Sequence, residues 1–196
     1  MRAILVDFNG TISTDKFWRS LPPAQLDRIQ NYLFGTNSDL VKSWMRGQIA
    51  TQDIALSISQ ATNIDCGLLL STLKADCETM FVDPDIICQL KLLRSRFQVH
   101  LVTANMDCFN QTVKALSLYN SFDDIINSAE IALLKTDNCF FDWFSNRYNI
   151  PLSECALLDD DVSVGIEFTQ RGGRYFRVRN PAETLAHLKN IYAAHF

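Results

Sequence analysis

Four separate stretches of the chain carry residue types that suit the transfer of a phosphoryl group. They are Asp7, Thr103, Lys135 and the run Asp159-Asp160-Asp161. A phosphoryl site needs a nucleophile, carboxylates that hold a divalent cation, and donors for the phosphoryl oxygens. Carboxylate oxygens also suit Mg²⁺, which prefers oxygen ligands. A lone lysine or threonine is most often structural or solvated, so the pattern indicates a site only if the fold brings the four stretches together.

Short apolar segments of strand length come before three of these stretches. The segments are residues 3–6, 98–102 and 155–158, and they precede Asp7, Thr103 and Asp159. Helical patterns lie between them, and strands that alternate with helices predict an α/β fold with a doubly wound parallel sheet. Ligands of open α/β sheets bind at the carboxyl ends of the strands. We therefore expect the polar residues to meet at one edge of this sheet.

The chain between the first and second strands shows only helical patterns. Apolar side chains recur at helical spacing within residues 14–81, and no segment there has the pattern of a strand. Thr51 is expected to cap one of these helices. Phe17, Trp18 and Trp44 suit a core more often than a pocket. We expect residues 14–81 to form a small helical cap, and residues 1–13 and 82–196 to form the α/β core.

The composition indicates a soluble globular protein. Hydrophobic residues make up 47% and charged residues 20% of the 196 residues, and the net charge of −4 argues against a nucleic-acid partner. No apolar run approaches the length of about 20 residues that a membrane span needs, and the first residues do not form a signal sequence. Six scattered cysteines favour free thiols in a reducing cytosol. We predict a cytoplasmic protein with no membrane partner.

Other kinds of site fit the sequence less well. The three histidines, His100, His187 and His195, have no cysteine or serine beside them at a useful spacing, which makes a zinc site or a catalytic triad improbable. His100 lies inside a strand and is expected to be an interior or edge side chain. A receiver domain also combines Asp, Thr and Lys, but its acidic pair lies at the first strand, whereas the acidic run here comes last.

The motifs resemble those of the haloacid dehalogenase-like (HAD) hydrolase superfamily over essentially the whole chain. The first stretch, Val6-Asp7-Phe8-Asn9-Gly10-Thr11, is similar to the first family motif, Asp-x-Asp-Gly-Thr after a strand, and is the most specific match. Residues 101–105 resemble the second motif, a strand that ends in Thr or Ser. Residues 127–137 resemble the stretch that contains the motif lysine, and residues 157–161 resemble the acidic fourth motif. The helical stretch lies where the family carries its cap.

This resemblance implies a role for each catalytic residue. Asp7 is implied to be the nucleophile that forms an aspartyl-phosphate. Thr103, Ala104 and Lys135 are implied to contact the phosphate or the substrate. The expected substrate is a small phosphorylated molecule.

The resemblance also implies a Mg²⁺ site. Its ligands are expected to be the carboxylate of Asp7, the backbone carbonyl of Asn9 and a carboxylate of the fourth motif. Counting forward from Glu154 favours Asp159 as this last ligand, and counting back from Gly173 favours Asp160. Both residues remain candidates.

Asn9 departs from the pattern of the family. Phosphatases of the family carry Asp two residues after the nucleophile, where it acts as general acid and base. An amide cannot exchange a proton at neutral pH, and general acid–base catalysis contributes roughly 10²–10⁴-fold. The backbone carbonyl of Asn9 is unchanged, so the metal site is expected to remain.

Three functions are compatible with this departure. The leading prediction is a Mg²⁺-dependent phosphatase that acts through an aspartyl-phosphate. The second is a dehalogenase-like or other carbon-group hydrolase, because the loss of a halide requires no proton; the acidic run counts against it, since the resemblance gives dehalogenases no metal. The third is a regulatory protein that binds phosphate but turns over little.

Overall fold

The first strand lies at the centre of a parallel sheet. In the computed structural model, which describes residues 1–195, five strands are arranged in the order β3-β2-β1-β4-β5 with every neighbouring pair parallel. The strands are β1 (Ala3–Val6), β2 (Gln98–Thr103), β3 (Asp124–Asn127), β4 (Cys155–Asp159) and β5 (Arg174–Arg177). The predicted α/β fold with a doubly wound parallel sheet is confirmed.

Both faces of the sheet are covered by helices. Ile4 and Val6 pack into one hydrophobic cluster, whereas Ala3 and Leu5 pack into another on the opposite face. The first cluster includes residues of α5 (Pro84–Leu93), α6 (Phe109–Ala115) and α10 (Pro181–His195), and the second includes residues of α8 (Phe140–Tyr148) and α9 (Val162–Gln170). This double burial explains why β1 is apolar at every position instead of alternating.

Residues 14–81, here called the helical insert, contain only helices and turns in the described structure. The helices are α1 (Pro23–Gln30), which continues as a π-helical turn (Asn31–Thr36), α2 (Ser38–Met45), α3 (Thr51–Thr62) and α4 (Cys66–Glu78). Trp18, Trp44 and Leu69 belong to a third hydrophobic cluster, which Met106 and Cys108 extend from the loop after β2. The domain boundaries at residues 13 and 82 stay a prediction.

Hydrogen bonds fasten the helical insert to the loop after β2. Asp107 accepts hydrogen bonds from the indole Nε1 of Trp44 (3.0 Å), from the backbone N–H of Thr51 (3.2 Å) and from the hydroxyl of Thr51. The prediction that Thr51 caps α3 is therefore wrong: Thr51 is the first helical residue, and no side chain of the N-cap residue Ala50 contributes. A carboxylate from a distant part of the chain takes the capping role.

A second set of bonds joins the insert to the segment after β3, which includes the short helix α7 (Ser128–Ile131). Arg46 forms an ion pair of 2.5 Å with Asp137, and the hydroxyl of Ser128 donates to the backbone carbonyl of Met45 (2.6 Å). Met45 is the last residue of α2 and Arg46 follows it, so both contacts are made at the carboxyl end of this helix. Within residues 1–195, no helix combines the length and apolar character needed to cross a membrane.

Candidate active site

The sheet topology brings three of the sequence-predicted residues to one edge. Val6, the last residue of the central strand, pairs with Leu101 of β2 and with Leu158 of β4. Asp7 therefore follows β1 between the carboxyl ends of its two neighbouring strands. Those ends carry Thr103 and Asp159, the final residues of β2 and β4. Parallel pairing puts the carboxyl ends of all three strands at the same edge of the sheet.

Lys135 reaches this edge from the segment after β3. Its Nζ lies 2.6 Å from Oδ1 of Asp7 and 2.6 Å from Oδ2 of Asp159. The three side chains are at most 6% exposed, so water screens the charges poorly. Burial lowers the pKa of Lys135, but the two carboxylates outweigh this effect and raise that pKa above its ordinary value. Lys135 is therefore a fixed positive charge.

The carboxylates still outnumber the charge that Lys135 supplies. The pKa of Asp7 is raised to about 7: burial raises it most, the nearby charge of Asp159 also raises it, and Lys135 opposes both effects. Asp160 adds a third carboxylate, and burial together with Asp159 raises its pKa as well. Asp7 and Asp159 are buried whereas Asp160 is exposed, and a bound cation would relieve the excess of negative charge among them.

The same cluster has the geometry of a cation site. Asp7, Asp159 and Asp160 each offer a carboxylate oxygen, and these three oxygens lie within 4.8 Å of one another. The donor set consists of oxygen atoms only, as Mg²⁺ prefers. Asp161 is placed differently: its carboxylate accepts hydrogen bonds from the backbone N–H (2.8 Å) and the hydroxyl (2.6 Å) of Ser163, so it caps α9.

Gly10 permits the close approach of the first motif to the acidic run. Its φ is +79°, in the region that favours glycine. A Cβ atom at this position would collide with the carboxylate of Asp160. The backbone of the first motif is thus held against one of the candidate cation ligands.

Asn9 takes part in a hydrogen-bond network that the sequence did not indicate. Nδ2 of Asn105 donates to Oδ1 of Asn9 (2.6 Å) and to the hydroxyl oxygen of Thr103 (3.2 Å). Asn105 is 1% exposed, and its backbone N–H donates to the hydroxyl of Ser128 (3.0 Å). Sequence reasoning missed Asn105, although its position two residues beyond Thr103 at a strand end was an available signal.

The site opens into two cavities. One, of about 300 Å³, is lined by Asp7, Asn9, Ala104, Lys135 and the three consecutive aspartates, so it collects most of the predicted site residues. Thr103 is 2% exposed and is not among the residues that line this cavity.

The second cavity, of about 370 Å³, lies between the sheet edge and the helical insert. We call it the insert cavity. Asn9, Ala104 and Asp160 line it from the sheet edge. Large apolar side chains of the insert, among them Phe17, Trp18 and Trp44, line it on the other side.

Several solved structures that are similar to this fold are HAD enzymes. A predicted HAD-like family hydrolase from Porphyromonas gingivalis superposes with a TM-score of 0.74 at 11% identity, over 98% of this chain and 98% of that one. The magnesium complex of a HAD family enzyme from Bacteroides thetaiotaomicron gives a TM-score of 0.74 at 14% identity, over 91% and 93% of the two chains.

Dehalogenases are structural neighbours as well. A 2-haloacid dehalogenase from Pseudomonas syringae pv. tomato gives a TM-score of 0.68 at 14% identity, and the match covers 99% of each chain. No protein-family model and no curated protein sequence matches this chain. The structural similarities show that the chain has the HAD fold.

Proposed function

We propose that this protein is a HAD-like hydrolase that removes phosphate from a small phosphorylated molecule, with Asp7 as the nucleophile. The observation that carries the proposal is the buried arrangement in which Lys135 contacts both Asp7 and Asp159 at 2.6 Å while Asp160 completes a three-carboxylate cluster. A nucleophile, a fixed cation and a set of oxygen ligands are the parts that phosphoryl transfer needs.

The residues present fit a bound Mg²⁺. Asp7, Asp159 and Asp160 would hold it, together with the backbone carbonyl of Asn9, and it would supply positive charge to the phosphoryl oxygens. The Bacteroides thetaiotaomicron HAD enzyme, which shares this fold at 13% identity, has a structure in complex with magnesium and inorganic phosphate. That neighbour supports the proposed cofactor for this chain.

Each protein group has a defined task in the proposed reaction. An oxygen of Asp7 attacks phosphorus, and the bond from phosphorus to the leaving oxygen breaks. Lys135 favours the ionised form of Asp7, since its charge opposes the effect of burial on that pKa. The hydroxyl of Thr103 would donate to a phosphoryl oxygen. Water then attacks the aspartyl-phosphate, which releases inorganic phosphate and restores the carboxylate.

A carbon-group hydrolase is the second candidate, and Asn9 is the observation that favours it. An amide at this position suits a leaving group that needs no proton, such as a halide. The fold is shared with a 2-haloacid dehalogenase. The cluster of three carboxylates counts against this candidate, because it suits a cation and an anionic phosphoryl group.

An assay with 4-nitrophenyl phosphate tests the proposal. We expect Mg²⁺-dependent release of phosphate that Asp7→Asn abolishes. Asp39→Asn is the matched control, because it makes the same change on a side chain that is 95% exposed; it should retain activity. Phosphate release that survives Asp7→Asn, or that ignores Mg²⁺, would contradict the proposal. Release of chloride from a 2-chloro acid, without phosphate release, would favour the second candidate.

A further inference from the structure

We propose that the substrate is an aryl phosphate, whose leaving group departs as an anion without receiving a proton from the protein. This inference rests on the proposed function and names its substrate class. Two independent observations carry it: the hydrogen bond that fixes the amide of Asn9, which lines both cavities, and the apolar lining of the insert cavity.

Asn9 can donate a hydrogen bond to a leaving oxygen but cannot transfer a proton to it. Its Oδ1 accepts a hydrogen bond from Nδ2 of Asn105 at 2.6 Å. Asn105 is buried and is itself held by Ser128. The oxygen of the Asn9 amide is thus occupied, and its NH₂ group remains for the substrate. A hydrogen bond from an amide stabilises an oxyanion, whereas an alkoxide would also need a proton.

The other charged groups around the insert cavity are Asp15, Lys16 and Asp160. Asp15 accepts a hydrogen bond from the backbone N–H of Phe81 (2.8 Å) and pairs with Arg19 (3.6 Å). Asp160 belongs to the carboxylate cluster. Lys16 is exposed, and no hydrogen bond or ion pair within residues 1–195 fixes its ammonium group. Asp15 is therefore engaged elsewhere, and the proposed function assigns Asp160 to the cation site.

The insert cavity offers carbon surface to the leaving group. The Nε1 atoms of both tryptophans are used elsewhere, since Trp18 donates to the carbonyl of Leu69 (2.9 Å) and Trp44 donates to Asp107. Both tryptophans and Leu33 are at most 1% exposed, whereas Phe17 and Phe34, which also line the cavity, keep more of their apolar surface exposed. Aromatic rings pack well against such surfaces. An aryl group fits the apolar lining of the cavity. It also leaves without a proton, because its ring delocalises the charge of the departing oxygen.

The proposed step balances without an external proton donor. Oδ of Asp7 bonds to phosphorus as the bond from phosphorus to the aryl oxygen breaks, and the electron pair stays on that oxygen. The aryloxide leaves and is hydrogen-bonded by the Asn9 amide. Water then bonds to phosphorus, the bond to Asp7 breaks with its electron pair returning to the carboxylate, and the proton of the water passes to phosphate and solvent.

A leaving-group series tests the inference on the full chain with Mg²⁺. The probes are 4-nitrophenyl, phenyl and benzyl phosphate. Benzyl phosphate keeps an apolar ring but releases an alkoxide, which requires a proton. We expect kcat/KM of the wild-type protein to fall steeply along the series. In Asn9→Asp, the carboxylate can accept the bond from Asn105 and act as the acid, so the ratio of 4-nitrophenyl to benzyl turnover should shrink by about 10²-fold.

The outcomes separate this inference from the proposed function. Equal turnover of phenyl and benzyl phosphate by the wild-type protein would overturn the inference, and a loss of benzyl turnover in Lys16→Met would then identify the acid. Because that comparison uses the wild-type protein, it holds even if Asn9→Asp fails to fold. No turnover of 4-nitrophenyl phosphate by either protein would instead overturn the proposed function.

The apolar part of the inference has its own measurement. Phe34 lines the insert cavity and is 51% exposed, so Phe34→Ala should not disturb folding. We expect this variant to raise KM for phenyl phosphate several-fold more than it raises the inhibition constant of ethyl phosphate, which is measured in competition with phenyl phosphate. An equal effect on the two constants would overturn the assignment of the cavity to an aryl group.

Discussion

Replacing Lys135 with methionine removes the positive charge that lies between two buried carboxylates. The methionine keeps an unbranched stem of similar length, so packing changes little. Nζ is 2.6 Å from both Asp7 and Asp159, whose side chains are 6% and 0% exposed. Removal of one partner from a buried ion pair typically lowers the free energy of unfolding by about 3–5 kcal/mol, because the remaining charge is left unpaired. We expect a loss of this size at pH 8 without Mg²⁺.

The loss should depend on pH in a defined direction. The pKa of Asp7 is already raised to about 7 with Lys135 present, and the variant loses the charge that opposes this rise. A carboxyl whose pKa is higher in the folded state binds its proton more tightly there. Its contribution to stability is then fully present below the unfolded pKa of about 3.9, and it is lost as pH rises through the folded pKa. Lys135→Met should therefore be less destabilised at pH 5 than at pH 8.

Urea unfolding at both pH values, with a chelator and again with Mg²⁺, measures these effects. Lys74→Met is the matched control: Lys74 is 65% exposed and pairs with Glu78 on the surface, so its loss should change stability by less than about 0.5 kcal/mol. Mg²⁺ should stabilise Lys135→Met more than the wild-type protein, because the carboxylates lack their internal cation. A loss below about 1 kcal/mol at pH 8, or an equal loss at both pH values, would refute the electrostatic reasoning.

Two further predictions concern parts of the fold outside the site. His100 is buried, neither of its ring nitrogens has a hydrogen-bond partner within residues 1–195, and burial lowers its pKa. The unfolded chain binds the proton more readily, so the free energy of unfolding should fall as pH drops below about 6.5. In urea unfolding, the free energy of unfolding of His100→Leu should depend less on pH than that of the wild-type protein. Parallel pH dependences of the two proteins would count against this account. Asp107→Ala should lower the free energy of unfolding by about 1–2 kcal/mol, because Asp107 caps α3 from outside that helix. An unchanged urea midpoint would show that the cap contributes nothing.

The sheet and the meeting of the strand ends could be predicted because both follow from local patterns. A strand such as β1, which is apolar at every position, requires cover on both faces. Parallel pairing then brings Asp7, Thr103 and Asp159 to the same edge, whatever the loops do. The excess of carboxylates was also visible in the sequence. The geometry adds that Asp160 joins the cluster while Asp161 caps α9.

The partners of individual side chains could not be predicted, since they depend on contacts between distant segments. Thr51 has the residue type of a helix cap, but Asp107 reaches its backbone N–H from the loop after β2 and takes that role. Asn105 lies in the same loop, where no periodic pattern distinguishes a buried amide from a solvated one. Its bond to Asn9 joins residues that are 96 positions apart.

The helical insert is hydrogen-bonded to the same two segments that position Thr103 and Lys135. Asp107 belongs to the loop that begins after Thr103, and it holds the amino end of α3. Asp137 closes the turn that contains Lys135: its carboxylate accepts a hydrogen bond from the backbone N–H of Leu134 (2.9 Å) and pairs with Arg46 at the end of α2. A shift of α2 therefore pulls on the turn that sets the position of Lys135. The side chains that shape the insert cavity and those around Asp7 are parts of one bonded unit, so the proposed function predicts that the fit of the leaving group and the alignment of Asp7 change together.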